Sequence, residues 1–453
     1  MEQNGRANKL ITVLVAFATA VIFFFAGFAV SRLTKKRETS SFEWAVKIVG
    51  DNYYKNVSAG SSLDRSLKGL AESLDPYCEY YTAEEYRAAL ASNSGKKSGV
   101  GVSFTYVGKD KGGNYEHPQG RSGILIESVV GNSPAYKSGL RAGEFVEKGV
   151  SASEAKIFES REDFSDFIDA REDGEEFTLY SDHGQYTVAK SEYTQSYCYM
   201  ATADKQWVVE YDGGKREVKE TDGGIEYLPD GAAYLRLDQF FGGAAYEMAE
   251  LIEKFNAESC SSLILDLRGN GGGYVNVMCD ISGIFTGQLE NPNPVAMRAV
   301  FKNGHTETSA VINKFAANRQ LPAGTKVSVL ADNGTASASE ALIGVLIDNG
   351  VVDYGDIYIS DFKDGGEKYL EFTDTVEKNA KTYGKGIMQS TFVNPRTGEA
   401  FKLTTAEIYW PKGETSIHGK GLSKDMGCKT VPAIWDVTFG DTQLAEAVKA
   451  IYG

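Results

Sequence analysis

Apolar positions along the 453-residue chain fall into three regimes. The first is an unbroken run of 21 uncharged residues, Leu10 to Val30, long enough as a helix to cross roughly 30 Å of hydrocarbon. The second has helical periodicity. Phe42, Ala45, Val46 and Val49, then Leu63, Leu67, Leu70 and Leu74, predict two amphipathic helices, closed by Asp75-Pro76. Their expected use is as a packing or self-association arm, which would make the protein a homo-oligomer through its N-terminal helices. The third regime is glycine-punctuated. From about Ser98 to Val188 the strand-like runs Gly101–Val107 and Ile124–Val130 accompany a short helix presenting Phe164, Phe167 and Ile168, which predicts a small β-rich domain.

The remainder alternates. A strand at Ala233–Leu237 leads to a helix with Met248, Leu251, Ile252 and Phe255 at i, i+3, i+4 and i+7. Continuous apolar strands at Ser262–Leu267 and Lys326–Leu330 then separate further helices, the pattern of an α/β layer with a buried sheet. The polar, acidic stretch 353–381, with Gly365-Gly366, reads as a surface insertion. The expected organisation is a tail and anchor (1–37), a helical region (38–97), a β-rich domain (98–190) and an α/β domain (191–453).

Composition narrows the function classes. A 42% hydrophobic content suffices for two or three packed cores. Residues 1–37 carry six Lys/Arg against one Glu, so the rest of the chain is more acidic than the total of −15 suggests. Phosphate backbones would be repelled, which argues against nucleic-acid binding. The apolar run also has signal-peptide features, with small Gly27 and Ala29 where cleavage is read, but its length exceeds a secretory core of ~7–15 residues and favours an uncleaved anchor. Arg32, Lys35, Lys36 and Arg37 outnumber Arg6 and Lys9, so the positive-inside rule by itself puts the body in the cytoplasm. Five scattered cysteines without CxxC or His spacing indicate buried thiols rather than disulfides or zinc, and no metal or other cofactor is expected.

Three segments carry candidate chemistry. Asn333-Gly334-Thr335-Ala336-Ser337-Ala338-Ser339-Glu340 follows a predicted strand and opens a predicted helix. A serine there is exposed at the sheet edge beside the unpaired N–H groups of the first helical turn, although an ordinary N-cap looks the same in sequence. In Thr382-Tyr383-Gly384-Lys385-Gly386-Ile387-Met388-Gln389, a lysine lies between two glycines with Gln389 four residues on, a pair that a coiled segment would turn the same way and that could lie close together in any conformation. A lone lysine is usually a solvated charge. As a base for serine its pKa must fall from about 10.4 towards 7, a differential cost of roughly 4–5 kcal/mol. A neutral glutamine can orient such an amine without favouring its charge. The third segment, Asp266-Leu267-Arg268-Gly269-Asn270-Gly271-Gly272-Gly273, is a glycine-rich loop after a strand. It lacks the Lys-Ser/Thr ending of a phosphate loop, and its amides suit an oxyanion better. His418 keeps a Ser-His-Asp alternative open.

At these segments the chain resembles the carboxyl-terminal processing (tail-specific) proteases, the S41 peptidases, from about Phe42 onward. Leu74–Tyr81 resembles their LDPHSxYL segment, and Ser98–Val102 the start of their PDZ domain. Ser133-Pro134-Ala135 with Gly139–Gly143 is similar to SPAxxAGLxxGD. Leu263–Gly273 resembles LILDLRGNPGG, Thr335–Glu340 resembles SASASE, Lys381–Gln389 resembles TFGKGxVQ, and Ala406–Leu422 resembles TxxYYTPSGRSIHGKGI. The resemblance implies an S41-like α/β catalytic domain with an inserted PDZ domain and an N-terminal transmembrane helix. It implies Ser337 as nucleophile, Lys385 as general base and Gln389 as its orienting partner. The N–H groups of Gly273 and Ala338 would form the oxyanion hole, and Gly99, Val100, Gly101 and Val102 the PDZ loop that binds C-terminal tails of protein substrates. His418 then belongs to a turn rather than a base. Because the family acts on exported proteins, it implies a single-pass anchor with the body outside the cytoplasm, or a secreted body if the segment is cleaved. This chain departs from the family in three places, the first being Lys424-Asp425 where Pro-Asp is common. Ser337 and Lys385 lie 48 residues apart, further than in typical members, and Glu144–Gly149 replaces the usual end of the PDZ signature. A catalytically inactive, membrane-anchored PDZ scaffold on the same fold is the alternative function.

Overall fold

The computed structural model describes residues 44–45, 47–48, 59–109, 120–141, 143–212, 214–360, 380–413, 415–431, 435–436 and 440–453. The expected anchor, Leu10–Val30, and residues 361–379 of the acidic stretch lie outside them. Among the described residues no helix is long and apolar enough to cross a membrane. Contacts divide the chain into two compact units: Met1–Ala83 with Thr391–Leu403, and Glu84–Ser390 with Thr404–Gly453.

In the first unit the second predicted helix spans Ala59–Glu72. Its leucine stripe is only partly used. Ala71 is buried with Leu67 against Cys78, Tyr80, Phe401 and Leu403, whereas Leu70 and Leu74 are exposed. The region is not purely helical, because Glu79–Tyr81 (β1) pairs antiparallel with Ala400–Lys402, which stacks Tyr80 on Phe401 at 5.1 Å.

In the second unit, strand β2 (Lys96–Gly99) leads into a β module. Its strands are β3 (Val102–Val107), β4 (Gly123–Val129), β5 (Phe145–Ser151), β6 (Ala155–Ile157), β7 (Glu176–Ser181) and β8 (Gly184–Ala189), in sheet order β3-β4-β5-β7-β8 with β6 on β5. Strand β9 (Ser191–Thr194) leaves it by pairing back on β2, so the two connections to the module run side by side. Ser160 caps helix Arg161–Asp169 by accepting from Asp163 N–H, and Phe164, Phe167 and Ile168 are all buried, as their spacing predicts. Phe158, Phe164, Phe167 and Phe177 meet edge to face at 5.0–5.6 Å. The unusual Gly149 is explained here: a Cβ would lie 2.5 Å from the Phe167 ring. Glu144 accepts hydrogen bonds from Tyr186 and Ser181, fastening the β7–β8 turn to the start of β5.

The main sheet has eight strands in the order β12-β11-β10-β13-β14-β17-β18-β21. These are β10 (Cys198–Ala201), β11 (Lys205–Asp212), β12 (Lys215–Asp222), β13 (Ala232–Leu237), β14 (Ser262–Asp266), β17 (Lys326–Ala331), β18 (Ile357–Ser360) and β21 (Lys429–Val431), while β15 (Val295–Phe301), β16 (Thr306–Ala310), β19 (Ile387–Val393) and β20 (Ala400–Tyr409) pair outside this sheet. From β13 to β21 the pairing is parallel, and β10–β12 add antiparallel strands at one end. Alternate residues feed two cores. Leu235, Leu265, Val329 and Ile359 pack with helices Ala244–Ala257, Val275–Thr286 and Ala338–Asp348, while Tyr234, Ile264, Leu330 and Tyr358 pack with the C-terminal helix Thr442–Tyr452. A sheet covered on both faces accounts for its unbroken apolar strands. Met248, Leu251, Ile252 and Phe255 are fully buried. All five cysteines are free thiols, four of them buried, as their scatter predicts.

Candidate active site

The glycine loop and the serine segment leave the same end of adjacent parallel strands, β14 and β17, the edge where sites form in such sheets. Several buried polar side chains lace them together. Asp332 accepts from the amides of Gly269 and Gly334 at 2.9 Å. The Thr335 hydroxyl donates to Leu267 C=O at 2.8 Å, and Ala336 N–H donates to Asn270 C=O at 3.0 Å. Asn270 donates through Nδ2 to Leu237 C=O and accepts from Gly272 N–H. Beneath the loop, Asp266 is fully buried against Arg268, Arg236 and Tyr234. Burial pushes its carboxyl up, and the two guanidiniums outweigh that and hold it at about 2.

Ser337 caps helix Ala338–Asp348 with φ 58° and ψ −113°, a left-handed conformation that costs a non-glycine residue about 1–3 kcal/mol. An ordinary capping serine is extended, so Ser337 keeps the reciprocal capping box with Glu340 but on a strained backbone. The strain is matched by a close approach. A Cβ on Gly272 would lie 2.9 Å from Ser337 Cβ, Ala336 O and Ala338 N, and Gly272 itself has φ +100°. Gly273 presses on Phe240, which donates to Gly272 C=O and accepts from Tyr274 N–H. Among the described residues the N–H groups of Gly273 and Ala338 have no hydrogen-bond partner. They are the two donors expected for an oxyanion.

Lys385 lies in the irregular segment before β19 (Ile387–Val393) and is half-buried. A single residue joins it to the serine. Glu340 is fully buried, and its Oε2 accepts from Ser337 N–H at 3.0 Å and from Lys385 N–H at 2.9 Å. The two amides are therefore no further apart than those bonds together allow. Its Oε1 accepts from the Thr382 hydroxyl at 2.6 Å and Gly384 N–H at 2.9 Å. Burial raises the carboxyl above its ordinary value, and the four donors oppose that rise. Tyr383 N–H donates to Thr335 C=O, and Gly419 N–H to Gly384 C=O, so the lysine segment is also tied to the serine segment and to the turn 416–421.

The segment does not coil: Gln389 sits in β19, its Nε2 donates to Thr404 Oγ1 at 3.2 Å, and its Oε1 is unengaged among the described residues. His418 is exposed, and its backbone and Cβ pack against Gly386. Gly99 ends β2 and Val102 begins β3. Between them Val100 C=O accepts from Ala135 N–H, and a Cβ on Gly101 would lie 2.3 Å from Ser133 and 2.7 Å from the Tyr193 hydroxyl. Sequence reasoning missed Glu340 as an organiser. The available signal was the Ser-x-x-Glu spacing of a capping box at Ser337.

Residues 231–354 match Peptidase family S41. The chain carries a peptidase S41 domain. The matched S41 segment holds the glycine loop, Ser337 and Glu340, and ends before Lys385. A probable CtpA-like serine protease of Staphylococcus haemolyticus is 27% identical over 403 residues, covering 87% of this chain and 66% of the relative. Its Staphylococcus saprophyticus counterpart is 26% identical over 440 residues, covering 93% and 73%. The chain thus spans about two thirds of the length of the curated relatives it matches. A putative S41 protease from Bacteroides fragilis shares the mixed α/β fold, with TM-score 0.53 at 13% identity over 90% of this chain and 96% of that one.

Proposed function

We propose that the chain is a serine endopeptidase using a Ser-Lys pair, with Ser337 as nucleophile and Lys385 as general base. The observation that carries this reading is the shared Glu340 oxygen, which draws the Ser337 and Lys385 amides to one point. In the proposed reaction Ser337 Oγ adds to the scissile carbonyl carbon as its proton passes to Lys385 Nζ. The carbonyl oxygen takes the negative charge and is met by Gly273 and Ala338 N–H. Collapse breaks the C–N bond, and the leaving amine takes the proton from Lys385. Water then attacks the acyl-enzyme by the same route, restoring Ser337. Gln389 would accept from the lysine amine through Oε1. Substrate settling over the half-buried Lys385 would complete the desolvation that a neutral amine requires.

In this reading the β module is a PDZ domain that binds C-terminal tails at Gly99–Val102 and pairs them on β3. The N-terminal run is a membrane anchor holding the body outside the cytoplasm. The test is cleavage of an unstructured protein by the parent beside Ser337→Ala and Lys385→Ala. Activity in the parent alone, with both variants down ~10³-fold or more, supports the pair. Equal cutting by all three sinks it, and an inert but folded parent favours the scaffold alternative.

A further inference from the structure

Glu247 is a buried carboxylate that the reaction above does not use. It lies in the first turn of helix Ala244–Ala257, and its oxygens gather three donors. Oε2 accepts from Tyr197 N–H at 2.6 Å and Cys198 N–H at 3.0 Å, and Oε1 accepts from the Tyr211 hydroxyl. Tyr197 ends the connector that leaves the β module, and Cys198 opens β10. Just before them Ser196 N–H donates to Gly131 C=O, and Thr194 C=O accepts from Asn132 Nδ2, both on module residues.

The two tyrosines that hold Glu247 also bracket the segment ahead of its helix. A Cβ on Gly242 would lie 2.8 Å from the Tyr197 ring, and one on Gly243 would lie 2.4 Å from the Tyr211 hydroxyl. That segment begins at Phe240, whose backbone is bonded on both sides to the Gly272–Tyr274 loop lying against Ser337. A continuous set of contacts therefore runs from the module connector, through Glu247, to the loop that carries the Gly273 amide.

We propose that Glu247 is a positioning residue for the Ser337 reaction, its ionised carboxylate locking the module connector and the Phe240–Gly243 segment so that the Gly272–Gly273 loop stays seated on the serine. The proposal rests on the Ser-Lys reading. Three donors directed at one carboxyl suit the ionised form, which only accepts. A protonated carboxyl would set its own O–H against that of Tyr211. Burial lifts Glu247 to about 7, while Tyr211, the Tyr197 and Cys198 amides and Arg216 pull it down, so the switch falls near neutral pH. The other titratable groups around it are the Tyr197 phenol and the Cys198 thiol, both raised by burial, and Asp238, whose charge acts on both. Arg216 is itself committed to Glu250 through two bonds of 2.9 Å.

The experiment is a pH profile of kcat and of Ser337 labelling by a fluorophosphonate for the purified full chain, Glu247→Gln, Tyr211→Phe and Ser337→Ala. In the parent, Glu247 and the lysine must both be deprotonated, so the acid limb is steeper than a slope of about one. Glu247→Gln is expected to lower kcat about tenfold, leave KM within about twofold and reduce the limb to a slope of about one. Tyr211→Phe removes a bond that favours the carboxylate and should move the steep region to higher pH. A merely structural role would lower the active fraction without reshaping the profile. An unchanged profile in Glu247→Gln, or an unmoved one in Tyr211→Phe, overturns the inference while leaving the Ser-Lys reading intact. Labelling that persists in Ser337→Ala, or a parent that neither cuts nor labels, removes both.

Discussion

Whereas Ser337 is delivered by a parallel strand and a buried helix, Lys385 comes from a segment with no regular structure of its own. The serine's position follows from sheet pairing and from the lacing of Asn270, Thr335 and Asp332. The lysine's position follows from Glu340, Thr335 C=O and the turn 416–421. One half is held by many weak constraints, and the other depends heavily on a single carboxylate. This explains how 48 residues of separation, which lengthen the loop at a cost of only about 0.6 kcal/mol per doubling, are compatible with a defined lysine backbone.

The largest effect should come from Glu340→Ala, which leaves four donors at a buried site unpaired. It is expected to destabilise the chain by about 3 kcal/mol or more in urea unfolding and to lower cleavage by ~10³-fold. Ser337→Ala should match the loss of cleavage with a far smaller change in stability. If Glu340→Ala retained parental kcat, the joining role assigned to this residue would be wrong.

Gly272→Ala attacks the serine half alone. Its φ of +100° and a Cβ 2.9 Å from Ala336 O and Ala338 N would push the loop off the serine. A loss of ~10²-fold in kcat and about 1–3 kcal/mol in stability is expected. A crystal structure or backbone amide shifts should show the lysine segment unmoved, and movement there would mean that the two halves are less separable than described.

Glu247 sharpens the comparison through pH. Its folded value, raised by burial from 4.5 to about 7, contributes stability that is complete below 4.5 and is lost as pH rises through about 7. The change is on the order of 3 kcal/mol. Asp266, which Arg268 and Arg236 hold at about 2 against the upward push of burial, acts in the opposite sense: its contribution is present above 3.8 and lost as pH falls through about 2. Tm measured from about pH 5 to about 8 should therefore slope downward in the parent and flatten in Glu247→Gln. A parallel slope in the variant would assign the dependence to other groups.

The smallest effect is expected from His418→Ala. The residue is exposed and meets Gly386 through its backbone and the Cβ that alanine keeps, so activity should stay within about twofold and stability within about 0.5 kcal/mol. A large loss of kcat would revive the histidine as a base.

The buried strands and the helix carrying Met248, Leu251, Ile252 and Phe255 were legible in the sequence because a sheet packed on both faces demands continuous apolar runs. Ser337 and the glycine loop were legible because a tight strand-to-helix turn restricts residue type. Glu340 and Glu247 were not, since an acidic residue on a helix ordinarily marks the solvated face, and nothing local shows that backbone amides from distant segments will surround it. At Gln389 the chain is extended rather than coiled, a local geometry that its four-residue spacing from Lys385 did not reveal. Leu70 and Leu74 fit the helical stripe yet remain exposed in this unit, because periodicity does not specify what covers a face.

The cysteines make the chain convenient for site-directed spectroscopy. Burial raises the thiols of Cys198, Cys260, Cys279 and Cys428, the last three to between about 11 and 12. The remaining one, Cys78, is shielded at 4% exposure. At neutral pH the thiolate that maleimides attack is therefore scarce or inaccessible throughout the native chain. A cysteine introduced on the β module and another beside Tyr383 would outpace the native ones, and a fluorophore pair could be attached without first removing any of the five.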